Sequence, residues 1–339
     1  MRATFRRLVL VLLVAGALCV PATGAWARAA SEPVPGLGVR LLEGPADNLD
    51  DPRAHDYIID HVAPGTTISR RIGFSNGDER PIDLSFYAAG ADIGGDAFAV
   101  LPGREGNELT SWITFSTDRT TVAPGGTVPI TVTIAVPSDA STGERYAAAL
   151  AERSVPPPTG RGVTTVSRVG VRIYLSVGPG GAPRTSFSID QMTARRDHVG
   201  NPVVTATVHN TGERAVDLSG TLDLTNGPSS LTAGPFHARG VATLAPAATG
   251  SVSVTLDPEL PAGPWDAHLT VVSGLTSEEA TTTLTFPAAK GSSGPPSSAS
   301  TGGGGPLLLV GAGLLAALLI AAIVALAWRR RGPRATAPT

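Results

Sequence analysis

Between residues 38 and 286 apolar and polar residues alternate one by one in short runs, and Gly, Pro or Asn end each run. In residues 82–87, Ile82, Leu84 and Phe86 fall on one face and Asp83, Ser85 and Tyr87 on the other. In residues 128–136, Ile130, Val132 and Ile134 point one way. A period of two belongs to a strand with one dry and one wet face. Outside two apolar segments near the termini, no window carries the 3.6-residue stripe of an amphipathic helix. The chain is therefore expected to be all-β, with antiparallel strands joined by turns.

The runs fall at 39–41, 57–60, 67–74, 82–87, 112–115, 128–136, 146–151 and 163–177. Residues 141–153 would also permit a single helical turn, although Tyr146–Leu150 fits a strand with small residues equally well. After the Gly/Pro-rich stretch 178–183 the pattern restarts at 187–189, 203–208, 215–224, 252–256, 265–272 and 281–286. This spacing predicts two tandem immunoglobulin-like β-sandwiches, at 34–178 and 184–286. Both halves end a strand on Asn followed by Gly and an acid: Asn76-Gly77-Asp78-Glu79 and Asn210-Thr211-Gly212-Glu213. Hairpins in general favour Asn-Gly, so the echo alone is slight evidence of duplication.

The ends of the chain suggest where it works. Residues 307–328 form 22 positions without a charge, amide or hydroxyl. As a helix this run would reach about 33 Å, enough for a hydrocarbon core of about 30 Å. Arg329, Arg330, Arg331 and Arg334 follow it, and such basic flanks stay on the cytoplasmic side. The sequence thus predicts a C-terminal transmembrane helix at 306–328 and a cytoplasmic tail at 329–339. At the other end, Arg2, Arg6 and Arg7 precede an apolar run at 8–20 and small residues at Ala25, Ala27 and Ala29. This is the form of a secretory signal peptide, expected over 1–29. Residues 287–305 are Pro, Ser, Gly and Ala with one Thr and one charge, and are expected to be a flexible stalk. The resulting localisation is the cell membrane, single-pass, with the bulk of the chain outside.

Charge and cysteine content narrow the function. Cys19 is the only cysteine and lies within the expected leader, so disulfides cannot hold the outer domains. Between residues 28 and 305, 19 basic residues face 28 acidic ones, leaving −9. That surface argues against nucleic acid as a partner. The six His are scattered, with no H-E-x-x-H. His55 and His61 flank one expected strand six residues apart and would share a face. Asp47, Asp50 and Asp51 gather oxygens that suit Ca²⁺, but their spacing is not that of an EF-hand and a solvated turn is the simpler reading. No enzyme, cofactor or metal is expected. Among the aromatic residues, Trp112 and Trp265 read as core. The ligand-binding candidates are Tyr57 with the wet-face set Asp83, Ser85 and Tyr87.

A family resemblance rests on several segments in order. These are 49–60 leading to Val62-Ala63-Pro64-Gly65, Ile72-Gly73-Phe74-Ser75-Asn76, and Ala88-Ala89-Gly90-Ala91-Asp92. Val122-Ala123-Pro124-Gly125-Gly126, Val136-Pro137 before Ser141-Thr142-Gly143, and residues 170–175 complete the set. With a second all-β unit and a basic-tailed apolar run after them, the chain resembles the WxL-interacting proteins of Gram-positive bacteria. The resemblance implies a peptidoglycan-binding first domain and a second domain for host or partner binding. The expected function is a non-catalytic, membrane-anchored surface scaffold holding peptidoglycan or a wall-associated protein. The alternative is an immunoglobulin-like secretion or assembly chaperone that lends an edge strand to exported subunits.

Overall fold

The computed structural model describes residues 36–45, 49–157, 162–238 and 242–301. The expected signal peptide, transmembrane helix and cytoplasmic tail lie outside these residues, as do Asp47 and Asn48. Among the described residues no helix is long and apolar enough to cross a membrane.

The first sandwich contains β1 (Leu37–Leu41), β2 (Ile58–Val62), β3 (Thr67–Asn76), β4 (Ile82–Gly94) and β5 (Ala97–Val100). It continues with β6 (Ile113–Phe115), β7 (Arg119–Val122), β8 (Thr127–Ala135), β9 (Gly143–Val155) and β10 (Thr165–Val177). One sheet runs β1-β3-β8-β6; the other runs β2-β10-β9-β4-β5, with β7 also on β4. Phe74 of one sheet meets Phe86 of the other at 5.1 Å between ring centres. Ile72, Leu84, Trp112, Ile130 and Val132 fill the same core, so Trp112 is the interior residue its context suggests. The stretch 141–153 resolves as strand from Gly143 on, without a helical turn: Ala147, Ala149 and Ala151 turn inward, where their small side chains fit the sheet–sheet gap.

The second sandwich contains β11 (Phe187–Arg196), β12 (Pro202–Asn210), β13 (Val216–Thr225), β14 (Ala233–His237) and β15 (Ala242–Leu244). Then come β16 (Thr249–Thr255), β17 (Gly263–Ser273), β18 (Thr276–Phe286) and two short strands, β19 (Ser297–Ser298) and β20 (Ser300–Thr301). Its sheets run β16-β12-β11-β19 and β14-β13-β17-β18-β20, with β15 on β13. Trp265 is 1% exposed, and its ring lies so close to Gly227 that an added Cβ would stand 2.4 Å from it.

Residues 287–301 differ from the expected flexible stalk. They run beside β11, with Gly294 N donating to Ala194 O (2.8 Å) and Ala299 N to Asp190 O (3.2 Å). They then cross to β18, where Ser300 pairs with Thr281. The segment has too few apolar residues to build a core, yet the backbone hydrogen bonds of an existing edge hold it in place.

The two sandwiches meet through a polar and aromatic junction. Asp217 of β13 accepts from the Tyr174 hydroxyl (3.0 Å) and from Thr243 Oγ1 (2.8 Å). Arg53 lies 3.8 Å and Arg172 3.5 Å from the same carboxylate. Arg53 also donates to Ala215 O at 3.2 Å, and Asp51 pairs with Arg53 at 3.0 Å. Asp51 therefore belongs to an ion pair and not to a solvated turn. Glu144 Oε2 accepts from Ala215 N (2.6 Å) and from the Tyr146 hydroxyl (2.8 Å). Burial pushes the Glu144 carboxyl above its ordinary range, against the opposing pull of these two donors. Burial likewise lowers the buried Arg214 guanidinium beside it. The rings of Tyr57, Phe98, Tyr146 and Tyr174 pack together at this junction. At the turn before β5, Asp96 clasps the other domain, its backbone oxygen on Thr243 N (2.9 Å) and its carboxylate on the Ser251 hydroxyl (3.1 Å).

Candidate binding surface

The outward face of the β10-β9-β4-β7 sheet carries one cross-strand row. Register aligns Arg119 of β7 with Ser85 of β4, Ser85 with Glu152 of β9, and Glu152 with Arg168 of β10. Alternation explains the row, because successive side chains of each strand leave opposite faces. Arg168 Nε donates to Glu152 Oε2 at 2.8 Å, and the Tyr87 hydroxyl donates to the same oxygen at 2.9 Å. Arg104 reaches in from the loop between β5 and β6. Its Nη2 donates to Glu152 Oε1 (3.1 Å) and to Ser85 Oγ (3.0 Å), and its guanidinium lies 4.1 Å from the Tyr87 ring centre. Arg168, then Arg104 and Tyr87, hold the Glu152 carboxyl down to about 2. Burial and Glu152 together push the Tyr87 hydroxyl up.

The loop that delivers Arg104 is itself anchored. Leu101 N donates to Gly90 O and Gly90 N to Glu105 O, each at 2.8 Å, while Asn107 Nδ2 donates to Tyr146 O at 2.7 Å. Gly90 admits this loop: a Cβ there would stand 2.8 Å from Leu101. Beside the row a cleft of about 550 Å³ opens over Asp83, Ser85, Arg104, Arg119 and Ser154. Thr121 donates to Asp83 Oδ1 at 2.6 Å on its wall.

Next to this face lies an open strand edge. On one side β10 pairs with β9 without interruption from Thr165 to Val177. On the other side it pairs with β2, in parallel, only from Ile173 to Val177. Among the described residues nothing pairs with residues 165–172 on that side. β1 packs near β10 but bonds to β3. At the outer end of the β9–β10 hairpin, Val155, Val163 and Val166 are 42%, 87% and 46% exposed.

Of the four residues expected to bind ligand, the structure brings Asp83, Ser85 and Tyr87 together. Tyr57 stands apart in the domain junction, 5.7 Å from the Tyr174 ring and beneath Arg172. It precedes β2, and the docking of the second domain decides its surroundings. Tyr87 is on the outer face as expected, but Arg104 covers its ring. His55 lies on a short 3-10 turn (Pro52–His55) outside β2, whereas His61 Nδ1 bonds Ser176 Oγ at 3.2 Å, so the two do not share a strand face. Arg104, Arg119, Glu152 and Arg168 were not singled out from the sequence. Glu152 and Arg168 become partners only once the register of the hairpin is known, and Arg104 sits in a loop without periodicity.

No family model matches this chain, and no curated protein matches it. Solved structures with a similar fold include the Salmonella enterica SafA pilin in complex with the SafB chaperone, at 11% identity and a TM-score of 0.38, covering 74% of this chain and 97% of that one. The YadV chaperone matches at 12% identity and a TM-score of 0.36, covering 73% of this chain and 99% of its own. The CsuC–CsuE chaperone–adhesin complex of Acinetobacter baumannii matches at 12% and 0.33, covering 67% and 95%. Scores this low assign neither family nor partner.

Proposed function

We propose that this chain is a non-catalytic assembly chaperone or scaffold of exported proteins, which holds a client by accepting one of its extended segments as an added strand along β10. The unpaired edge at residues 165–172 carries this reading. It spans about 27 Å, and alternate residues present both backbone groups outward. Long open edges are templates for pairing, and natural proteins generally blunt them with proline, bulges or cover. Here the ladder with β9 is free of register shifts, and no proline falls within β10. The exposed valines at the hairpin end supply apolar contact beside the edge. The junction holds the second domain against the first, so that the edge is presented on a preorganised body. Membrane anchoring through residues 306–328 would keep this body at the site of export.

Paired proline variants test the edge. Because N–H groups alternate in direction, one of Val166→Pro and Ser167→Pro removes an outward N–H and the other an inward one. The outward variant is expected to fold normally and lose client binding; the inward one is expected to weaken the β9–β10 hairpin. Undiminished client binding by both variants would rule the edge out. A wall-holding role, as the family resemblance implies, would use the same domains with a different partner. Sedimentation of the purified protein with sacculi distinguishes the two, because a chaperone stays in the supernatant.

A further inference from the structure

We infer that the cleft beside Ser85 is a second, independent ligand site, built for a short peptide with a free carboxylate. Its charges are the first argument. Both Glu152 oxygens are occupied by Arg104, Arg168 and Tyr87. Arg119, in the same cross-strand row, makes no side-chain hydrogen bond among the described residues and is exposed. Among the described residues Arg104 bonds through Nη2 alone, with Nη1 and Nε as further donors. Two guanidinium groups with open donors therefore line one cleft, and one of them is already fixed by a carboxylate and a tyrosine ring. A planar fork of N–H donors matches a carboxylate. A fixed donor also loses less freedom on binding than a mobile one.

The remaining walls select among anions. Asp83 Oδ1 is taken by Thr121, while Oδ2 is open to a ligand N–H or ammonium. With two carboxylates in the wall a phosphate dianion is repelled, whereas a ligand bearing both a carboxylate and an amino or amide group is complemented. No aromatic ring lines the cleft, and Arg104 covers the one nearby, Tyr87, so a sugar has no stacking platform. A volume of about 550 Å³ falls in the range of small-ligand sites and suits two or three small residues.

The inference does not depend on strand addition at β10, and its test is separate. Titration calorimetry of the whole chain with trialanine should show saturable one-site binding. Trialanine amide should bind about tenfold more weakly or worse, because it lacks the anion for a charge-assisted contact. Arg119→Gln, an exposed change, should produce a similar loss for trialanine but little for the amide. Arg104→Gln provides a second variant, and whichever of Val166→Pro and Ser167→Pro removes the outward N–H should leave the titration unchanged. Equal binding of acid and amide, stronger binding of inorganic phosphate or of a uronic-acid disaccharide, or no trialanine binding at millimolar concentration would overturn the inference.

Discussion

The two sandwiches share a frame and differ at their edges. In the first, Asn76 ends β3, is 1% exposed, and donates to Arg80 O (2.8 Å) and Val122 O (3.0 Å) while accepting from Asp78 N (2.9 Å). In the second, Asn210 ends β12, is fully buried, and donates to Arg214 O (2.8 Å) and Leu244 O (3.1 Å) while accepting from Gly212 N (2.9 Å). The turns they meet also correspond. Asn76 N bonds Gly126 O and Asn210 N bonds Ala248 O, both at 2.9 Å, and the left-handed position of the turn is Gly125 in one and Ala247 in the other. The Asn-Gly echo in the sequence thus marks an equivalent buried pin, which ties a strand end to a neighbouring turn. The last strands behave differently. β20 pairs with Ala280 and Thr281 of β18, and β19 with Gln191 and Met192 of β11, whereas among the described residues nothing pairs with residues 165–172 of β10 on the side away from β9. The second domain folds its own C-terminal segment back on part of these edges, and the first leaves an eight-residue stretch of β10 available among the described residues.

The largest effect is expected where the two domains are joined. Asp217→Ala removes the acceptor of Tyr174 and Thr243 and takes from the buried Arg53 and from Arg172 a carboxylate that both face. The cost is about 3 kcal/mol or more, and calorimetry should then resolve two transitions in place of a coupled one. Next come the pins. Asn210→Ala takes the side-chain donor from the carbonyls of Arg214 and Leu244 and should cost about 2–3 kcal/mol in the second domain, and Asn76→Ala a similar amount in the first. Unequal costs would break the correspondence drawn between them.

A smaller effect follows from pH. Glu144 has a raised pKa in the fold, so its contribution is fully present below its ordinary value near 4.5 and is lost as pH rises through the folded value. Glu152 behaves oppositely: its contribution is present above about 4.5 and is lost as pH falls toward about 2. Thermal melts of Glu144→Gln should therefore lose part of the stabilisation that the parent gains on mild acidification from neutral pH. The same slope in both proteins would contradict the assignment.

Ending the chain at residue 288 should uncover the second domain's edges, at about 1 kcal/mol, and raise amide exchange in β11. The smallest change is Ala247→Gly, which relieves a φ of +61° and should stabilise the second domain by less than about 1 kcal/mol.

The alternation of residues 82–87 made the outer face of β4 legible, because a period of two leaves a side chain little choice of face. The longer runs became strands for the same reason. The short strands β5, β7, β14 and β15 carry too few alternations to be read and exist because a neighbour's edge pairs with them. Composition misled at 287–301, because it reports whether a segment can form a core, not whether it can borrow hydrogen bonds. The junction was illegible for a related reason: Tyr57, Asp51 and Asp217 lie far apart in sequence and acquire meaning only when the domains dock.

Amide hydrogen exchange along β10, measured without and with a bound client, is the most direct test of strand capture. Without client, residues 173–177 should be uniformly slow, and residues 165–172 should alternate between slow and fast. Client should make the fast members slow. Uniform protection of 165–172 before any client is added, or fast exchange that persists in the complex, would contradict the account.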